Sequence, residues 1–109
     1  MAGSLGTFEQ AVLLSVYRLG DEAYGRQILK DLGLRLARNV SAGAAYATLA
    51  RLEARGFVSS RLEEGAAERG GRARRFYRLE RDGVLALSEA RTLAAALWRG
   101  VRWPRRKLA

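Results

Sequence analysis

Neither cysteine nor histidine occurs among the 109 residues, and proline occurs once. Disulfides are therefore excluded, and so are zinc sites built on thiolate or imidazole. Cysteine nucleophiles, Ser–His pairs and histidine acids are excluded as well, which leaves carboxylates, Lys and Tyr for catalysis. The carboxylates read as solubilising charges: Glu63 and Glu64 at a strand end, and Glu53, Glu80, Asp82 and Glu89 at helical surface positions. The chain is accordingly expected not to be an enzyme and to need no metal or cofactor. Negative charge is scarce too, with 11 acidic against 20 basic residues and a net charge of +9. No apolar stretch approaches the ~20 residues that span a bilayer, and the N-terminus lacks the charged start and apolar middle of a signal peptide. A cytoplasmic location is expected, without membrane association.

What is present is a globular composition, 49% hydrophobic and 8% aromatic, of one-domain length. Eighteen of the 20 cationic residues are arginine, the side chain that pairs bidentately with phosphate and guanine edges. They concentrate around Glu68–Leu79, ERGGRARRFYRL. Between Arg69 and Arg81 six arginines face a single acid, Glu80. The segment joins a cationic loop to an alternating aromatic strand, and Gly70 and Gly71 let its backbone turn and approach a surface closely.

Thr7 is placed to cap a first helix on which Phe8, Val12, Leu13, Val16 and Tyr17 recur at helical spacing, ending at Gly20 and Asp21. An extended link through Glu22 and Ala23 leads to Tyr24 and Gly25, after which Ile28, Leu29, Leu32 and Leu36 mark a second helix. Ser41 caps a third, to about Arg55, with Gly56 as its stop. Ala45, Leu49 and Leu52 share one face of it, with Thr48 at the edge. Gly43, Ala44, Ala47, Ala50, Arg51 and Ala54 lie opposite, a surface of small residues that suits close approach to a partner.

Phe57–Leu62 and Ala73–Leu79 read as two strands of a hairpin around the basic loop. From Glu80 a final helix is expected to about Trp103, where Pro104 stops it. It would be about 36 Å long, too long for so small a domain to cover. Leu87, Ala90, Ala94, Leu97 and Val101 follow a heptad seam, widened by Val84, Leu93 and Trp98, so a second copy is expected to pair with it.

Three helices, a basic hairpin and a long last helix follow the order of a winged helix-turn-helix, mainly α with a small β-hairpin. The segments GTFEQAVLLSVYRLGDEAYG (6–25), VSAGAAYATLARLEARGFV (40–58) and ERGGRARRFYRLERDG (68–83) also resemble the PadR family of transcriptional regulators, in its short form with a single C-terminal dimerisation helix. The resemblance implies a DNA-binding domain over 1–79, a dimerisation helix over 80–104 and a basic tail over 105–109. It further implies a homodimeric repressor on a palindromic double-stranded operator. Helix 41–55 would lie in the major groove and the 64–73 wing on the backbone or minor groove, with a small aromatic effector releasing the DNA.

By that resemblance Ser41, Gly43, Ala44, Tyr46, Ala47 and Arg51 fall on the reading segment, Tyr24 and Gly25 open the supporting helix, and Arg69, Gly70, Gly71, Arg72, Arg74 and Arg75 form the wing. The dimer interface would be Leu87, Ala90, Ala94, Leu97, Trp98 and Val101. Tyr46 has two readings, a hydroxyl on a phosphate or a ring packed under the wing. Arg51 could contact a base or phosphate, or pair near Glu53. Family members usually carry threonine, a larger aliphatic residue and often proline where this chain has Ala44, Ala45 and Ala47. Specificity is therefore expected to lean on alanine methyls, Arg51 and DNA shape. Trp98 could serve as dimer core or as a stacking surface for the effector. A competing reading makes the Trp/Arg-rich segment from Leu97 to Leu108 a basic membrane-surface or protein-partner module.

Overall fold

The computed structural model describes residues 4–65 and 70–104; Arg69 and the 105–109 tail lie outside these. Four helices, α1 (Thr7–Leu19), α2 (Gly25–Leu36), α3 (Ala42–Ala54) and α4 (Arg81–Trp98), enclose an antiparallel hairpin of β1 (Val58–Glu63) and β2 (Arg74–Leu79). The N-cap of α1 is Gly6, one residue before the expected Thr7. Glu9 makes that start workable: its carboxylate accepts the Gly6 N–H at 2.8 Å and sits at the positive end of the helix dipole. Of the link expected to be extended, Glu22 closes a 3-10 turn, Gly20–Glu22, and the chain is extended at Tyr24.

Ser41 caps α3 as expected, its Oγ accepting the Ala44 N–H at 3.0 Å. At the other end the Phe57 N–H reaches the Leu52 carbonyl at 2.9 Å, with Gly56 at φ 80° between them. That reversal is a Schellman-type stop, and it aims the chain directly into β1.

The hairpin pairs Val58 with Leu79 through to Glu63 with Arg74. Its free edge is covered, since Tyr24 bridges to Phe76 and the Tyr77 N–H donates to the Ala23 carbonyl at 2.8 Å. Residues 23–24 thus act as a minimal third strand that fixes where α2 begins. One core, including Val12, Leu13, Val16, Ile28, Leu32, Leu49, Leu52 and Phe57, joins α1, α2, α3 and the base of the hairpin. Tyr17, expected on the core face of α1, is 70% exposed. Val12, Leu13 and Val16 already fill the arc that meets the core, and Tyr17 lies beyond it with half-exposed Leu14.

Glycine sets the junction between hairpin and α4. A β-carbon on Gly83 would lie 2.3 Å from the Phe57 carbonyl oxygen, a backbone atom with little freedom to move. The helix then ends at Trp98, earlier than the expected Trp103, for a reason other than Pro104. Arg99 leaves helical geometry (ψ 128°) and Gly100 takes φ 78°. The chain turns back, the Val101 N–H bonding the Trp98 carbonyl at 3.0 Å, and Trp103 packs edge-on against Trp98 with centroids 5.1 Å apart. Val101 therefore lies past the helix and off its heptad seam. No helix among the described residues is long and apolar enough to cross a membrane.

Candidate nucleic-acid interface

The two faces of α3 separate as their composition requires. Ala45, Thr48, Leu49 and Leu52 are buried, while Gly43, Ala44, Ala47, Ala50, Arg51 and Ala54 are exposed. Arg51 is exposed and tethered at one point, its Nη2 donating to Thr48 Oγ1 at 3.0 Å, while Glu53 is engaged elsewhere. Glu53 instead accepts from Ser60 Oγ at 2.8 Å, and Arg75 Nη1 donates to the same hydroxyl at 3.0 Å. This chain of contacts ties the C-terminal half of α3 to both strands, holding helix and hairpin at a set angle.

Beside that face lies a groove of about 610 Å³ between the start of α2, Tyr46 of α3 and the base of the hairpin. Arg26, Arg72, Arg74 and Arg75 line it, together with Tyr24, Tyr46 and Tyr77, and among the described residues no carboxylate does. Tyr24 is 7% exposed, so it works from inside the domain. Its ring packs on Phe76 at 5.2 Å, its hydroxyl accepts from Gln27 Nε2 at 3.2 Å, and the Arg74 guanidinium stacks 4.1 Å above it. A cation over an aromatic face is restrained without losing its charge, so Tyr24 serves as the platform on which Arg74 is presented.

Tyr46 lies against Gly25, where a β-carbon would come within 2.8 Å of its Cε1 and Oη. Its ring thus packs on the start of α2 and also lines the groove beside the wing residues. Burial raises the Tyr77 phenol above its usual range, with Glu53 and Tyr46 adding to the shift and Arg75 opposing it; it remains a neutral hydrogen-bonding group. The first turn of α2 has no side-chain cap. Its amides and the positive end of its dipole therefore remain available to an anion.

Ser41, Gly43, Ala44 and Ala47 are thus exposed on α3 and its cap, Gly70 and Gly71 stand at the turn of the hairpin at φ 71° and 77°, and Tyr46, Arg72, Arg74 and Arg75 share one groove. Arg26 joins them without having been expected from sequence. It follows Gly25 directly, but only the packing of α2 on β2 shows that its first turn opens toward the wing. The residues expected at a dimer interface lie elsewhere, on α4. Leu87 and Ala90 are partly covered by the chain itself, Ala94 is exposed, and Leu97 and Trp98 are 70% and 54% exposed. Beneath them a second groove, lined by Leu5, Gln10, Leu85, Ala86, Leu93 and Leu97 among others, runs between the N-terminal region and α4.

Residues 13–89 match the transcriptional regulator PadR-like family. The chain belongs to this family. Among solved structures similar to this PadR-like chain is a PadR family transcriptional regulator from Eggerthella lenta, 28% identical over 82% of this chain and 75% of that one, with a TM-score of 0.65. A PadR-like transcriptional regulator from Bacillus cereus is 23% identical over 88% and 95% of the two chains, with a TM-score of 0.62. Bordetella bronchiseptica BpsR, whose DNA binding is regulated by 6-hydroxynicotinic acid, shares the fold at 17% identity, covering 96% and 73%, with a TM-score of 0.59. None of the curated proteins matches the chain in sequence. Membership makes this protein a transcriptional regulator of the winged helix type, a class that works by binding DNA and not by catalysis.

Proposed function

We propose that this PadR-like protein is a homodimeric repressor of a palindromic double-stranded operator, with α3 in the major groove and the hairpin on the adjacent backbone or minor groove. The observation that carries this reading is the groove lined by Arg26, Arg72, Arg74 and Arg75, without a carboxylate among the described residues, lying beside the small-residue face of α3. A DNA strand following that surface meets arginine at the start of α2 and again along the wing, while the duplex approaches a face of α3 on which most residues are glycine or alanine. The arginines contribute salt-dependent grip, and the choice of sequence rests on α3.

Dimerisation is supported by the shape of the chain. Its radius of gyration is 16.3 Å, against about 13 Å for a compact domain of this length. The excess reflects α4, which presents Leu85, Leu93, Leu97 and Trp98 to solvent. Pairing α4 with its copy would cover that surface and set two α3 helices one helical turn of DNA apart. Trp98 and the groove beneath α4 would then enclose a planar aromatic effector, as BpsR responds to one.

Selecting bound fragments from a random duplex pool with the purified protein tests the reading. An enriched palindrome with half-sites one turn apart is expected, and failure to enrich any motif would refute sequence-specific regulation. Quenching of tryptophan fluorescence by an aromatic acid, with release of the selected duplex, tests the effector.

A further inference from the structure

The exposed face of α3 is mostly small and apolar: Ala42, Gly43, Ala44, Ala47, Ala50 and Ala54 lie on it, with Arg51 and Tyr46 as its larger polar side chains. Ser41 Oγ holds the Ala44 amide, Glu53 accepts from Ser60, and Arg51 gives one of its N–H groups to Thr48. Along most of this face, methyl groups are what the helix offers a base edge.

Gly43 adds an independent observation. It sits in the first turn of α3 without a positive φ, and a β-carbon built on it would meet nothing within 4 Å. Nothing inside the protein demands glycine there, and alanine is the better helix former by about 1 kcal/mol. A glycine that the free protein does not need fits a surface that comes closer to the helix backbone than a methyl group would permit.

We infer that Gly43 is the point of closest approach to the operator, and that Ala44, Ala47 and Ala50 read it by packing against thymine 5-methyl groups in the major groove. Thymine alone among the bases presents an apolar group on that edge. A helix that presents methyls along most of its face thus favours thymine at the positions they cover, with Arg51 left to contact a neighbouring base or phosphate. This inference rests on the DNA-binding role proposed above and specifies what that site recognises.

The test uses the full-length protein and a duplex selected from a random pool, made once with thymine and once with deoxyuridine at every thymine of the half-sites. Deoxyuridine keeps the pairing edge and removes only the methyl. Affinity is expected to fall about fourfold for each methyl contacted, the worth of one buried CH₂. Equal affinity for the two duplexes, or a consensus without thymine at the contacted positions, would overturn the methyl reading while leaving DNA binding intact; no binding to any duplex would instead refute the DNA-binding role. In parallel, Gly43→Ala should unfold at the same or a higher temperature yet bind the thymine duplex at least roughly tenfold more weakly, the scale of one obstructed close contact. Unchanged affinity in that variant would refute close approach at Gly43.

Discussion

The ring of Tyr46 occupies the space a side chain at residue 25 would need: a β-carbon on Gly25 would stand 2.8 Å from the Tyr46 Cε1 and Oη and 3.1 Å from its Cζ. The pair sets how closely the start of α2 meets α3. In Gly25→Ala the half-exposed ring can swing away, so stability should fall by only about 1 kcal/mol, the mild end of overpacking. DNA affinity should fall further, because the displaced ring enters the arginine-lined groove. Urea unfolding beside fluorescence anisotropy with a selected duplex would show this. Gly25→Ala/Tyr46→Ala should recover the stability, and a double variant as unstable as the single one would contradict the assigned contact.

Ala37 ends α2 at φ 53°, ψ 40°, the left-handed region that a residue with a β-carbon rarely enters. Glycine adopts that conformation without the steric cost, so Ala37→Gly is expected to stabilise the protein by about 1 kcal/mol. A rise of several degrees in melting temperature would follow, and a fall would show that the loop gains more from a stiffer unfolded chain than it loses to strain.

Asp31 joins α2 to α1 through Arg18, with Arg35 of its own helix at 3.8 Å. Burial pushes its carboxyl upward, but the hydrogen bond from Arg18 and the charges of Arg18 and Arg35 outweigh that and hold it below the usual aspartate range. A carboxyl with a depressed folded value adds stability that is complete above the unfolded value and drains away as pH falls through the folded one. Stability should therefore decline below about pH 4, and Asp31→Asn should reduce that slope in pH-resolved denaturation. An unaltered acid limb would show that other carboxylates govern it.

Arg72 and Arg74 line a groove whose walls, among the described residues, include no carboxylate. Replacing both with alanine is expected to flatten the plot of log affinity against log salt by about 2 units, one for each phosphate no longer neutralised. The preference for selected over scrambled duplex should change little. A collapse of that preference would transfer sequence reading from α3 to the wing.

Leu93 and Leu97 are 55% and 70% exposed on α4. Leu93→Glu/Leu97→Glu should shift the protein to monomer at micromolar concentration in sedimentation, since burying each leucine is worth about 1.5–3 kcal/mol. The melting temperature of the parent protein, but not of the variant, should then rise with concentration.

Legibility in the sequence differed from element to element. The Ser41 cap, the Gly56 stop and the division of α3 into an apolar and a small-residue face were readable because they depend on residues within a few positions of one another. The end of α4 was misplaced because Pro104 is the stronger local signal, whereas the chain turns at Gly100 and is held by Trp103 on Trp98. The contact of Arg51 with Thr48 was missed for a similar reason: the sequence shows an arginine on the open face but not that Thr48 accepts one of its N–H groups.

By itself, then, the sequence determined the order of elements, the excess of arginine, the bareness of the third helix and the membership these imply, since spacing, capping and charge are properties of neighbours along the chain. Tertiary structure alone decided that Tyr24 is an internal platform for Arg74, that Tyr46 rests on Gly25, that Arg26 opens into the wing groove, and that Gly43 answers to no neighbour within the fold. Those relationships join residues far apart in the chain, and only the packing of α2, α3 and the hairpin around one core brings them within a few ångströms.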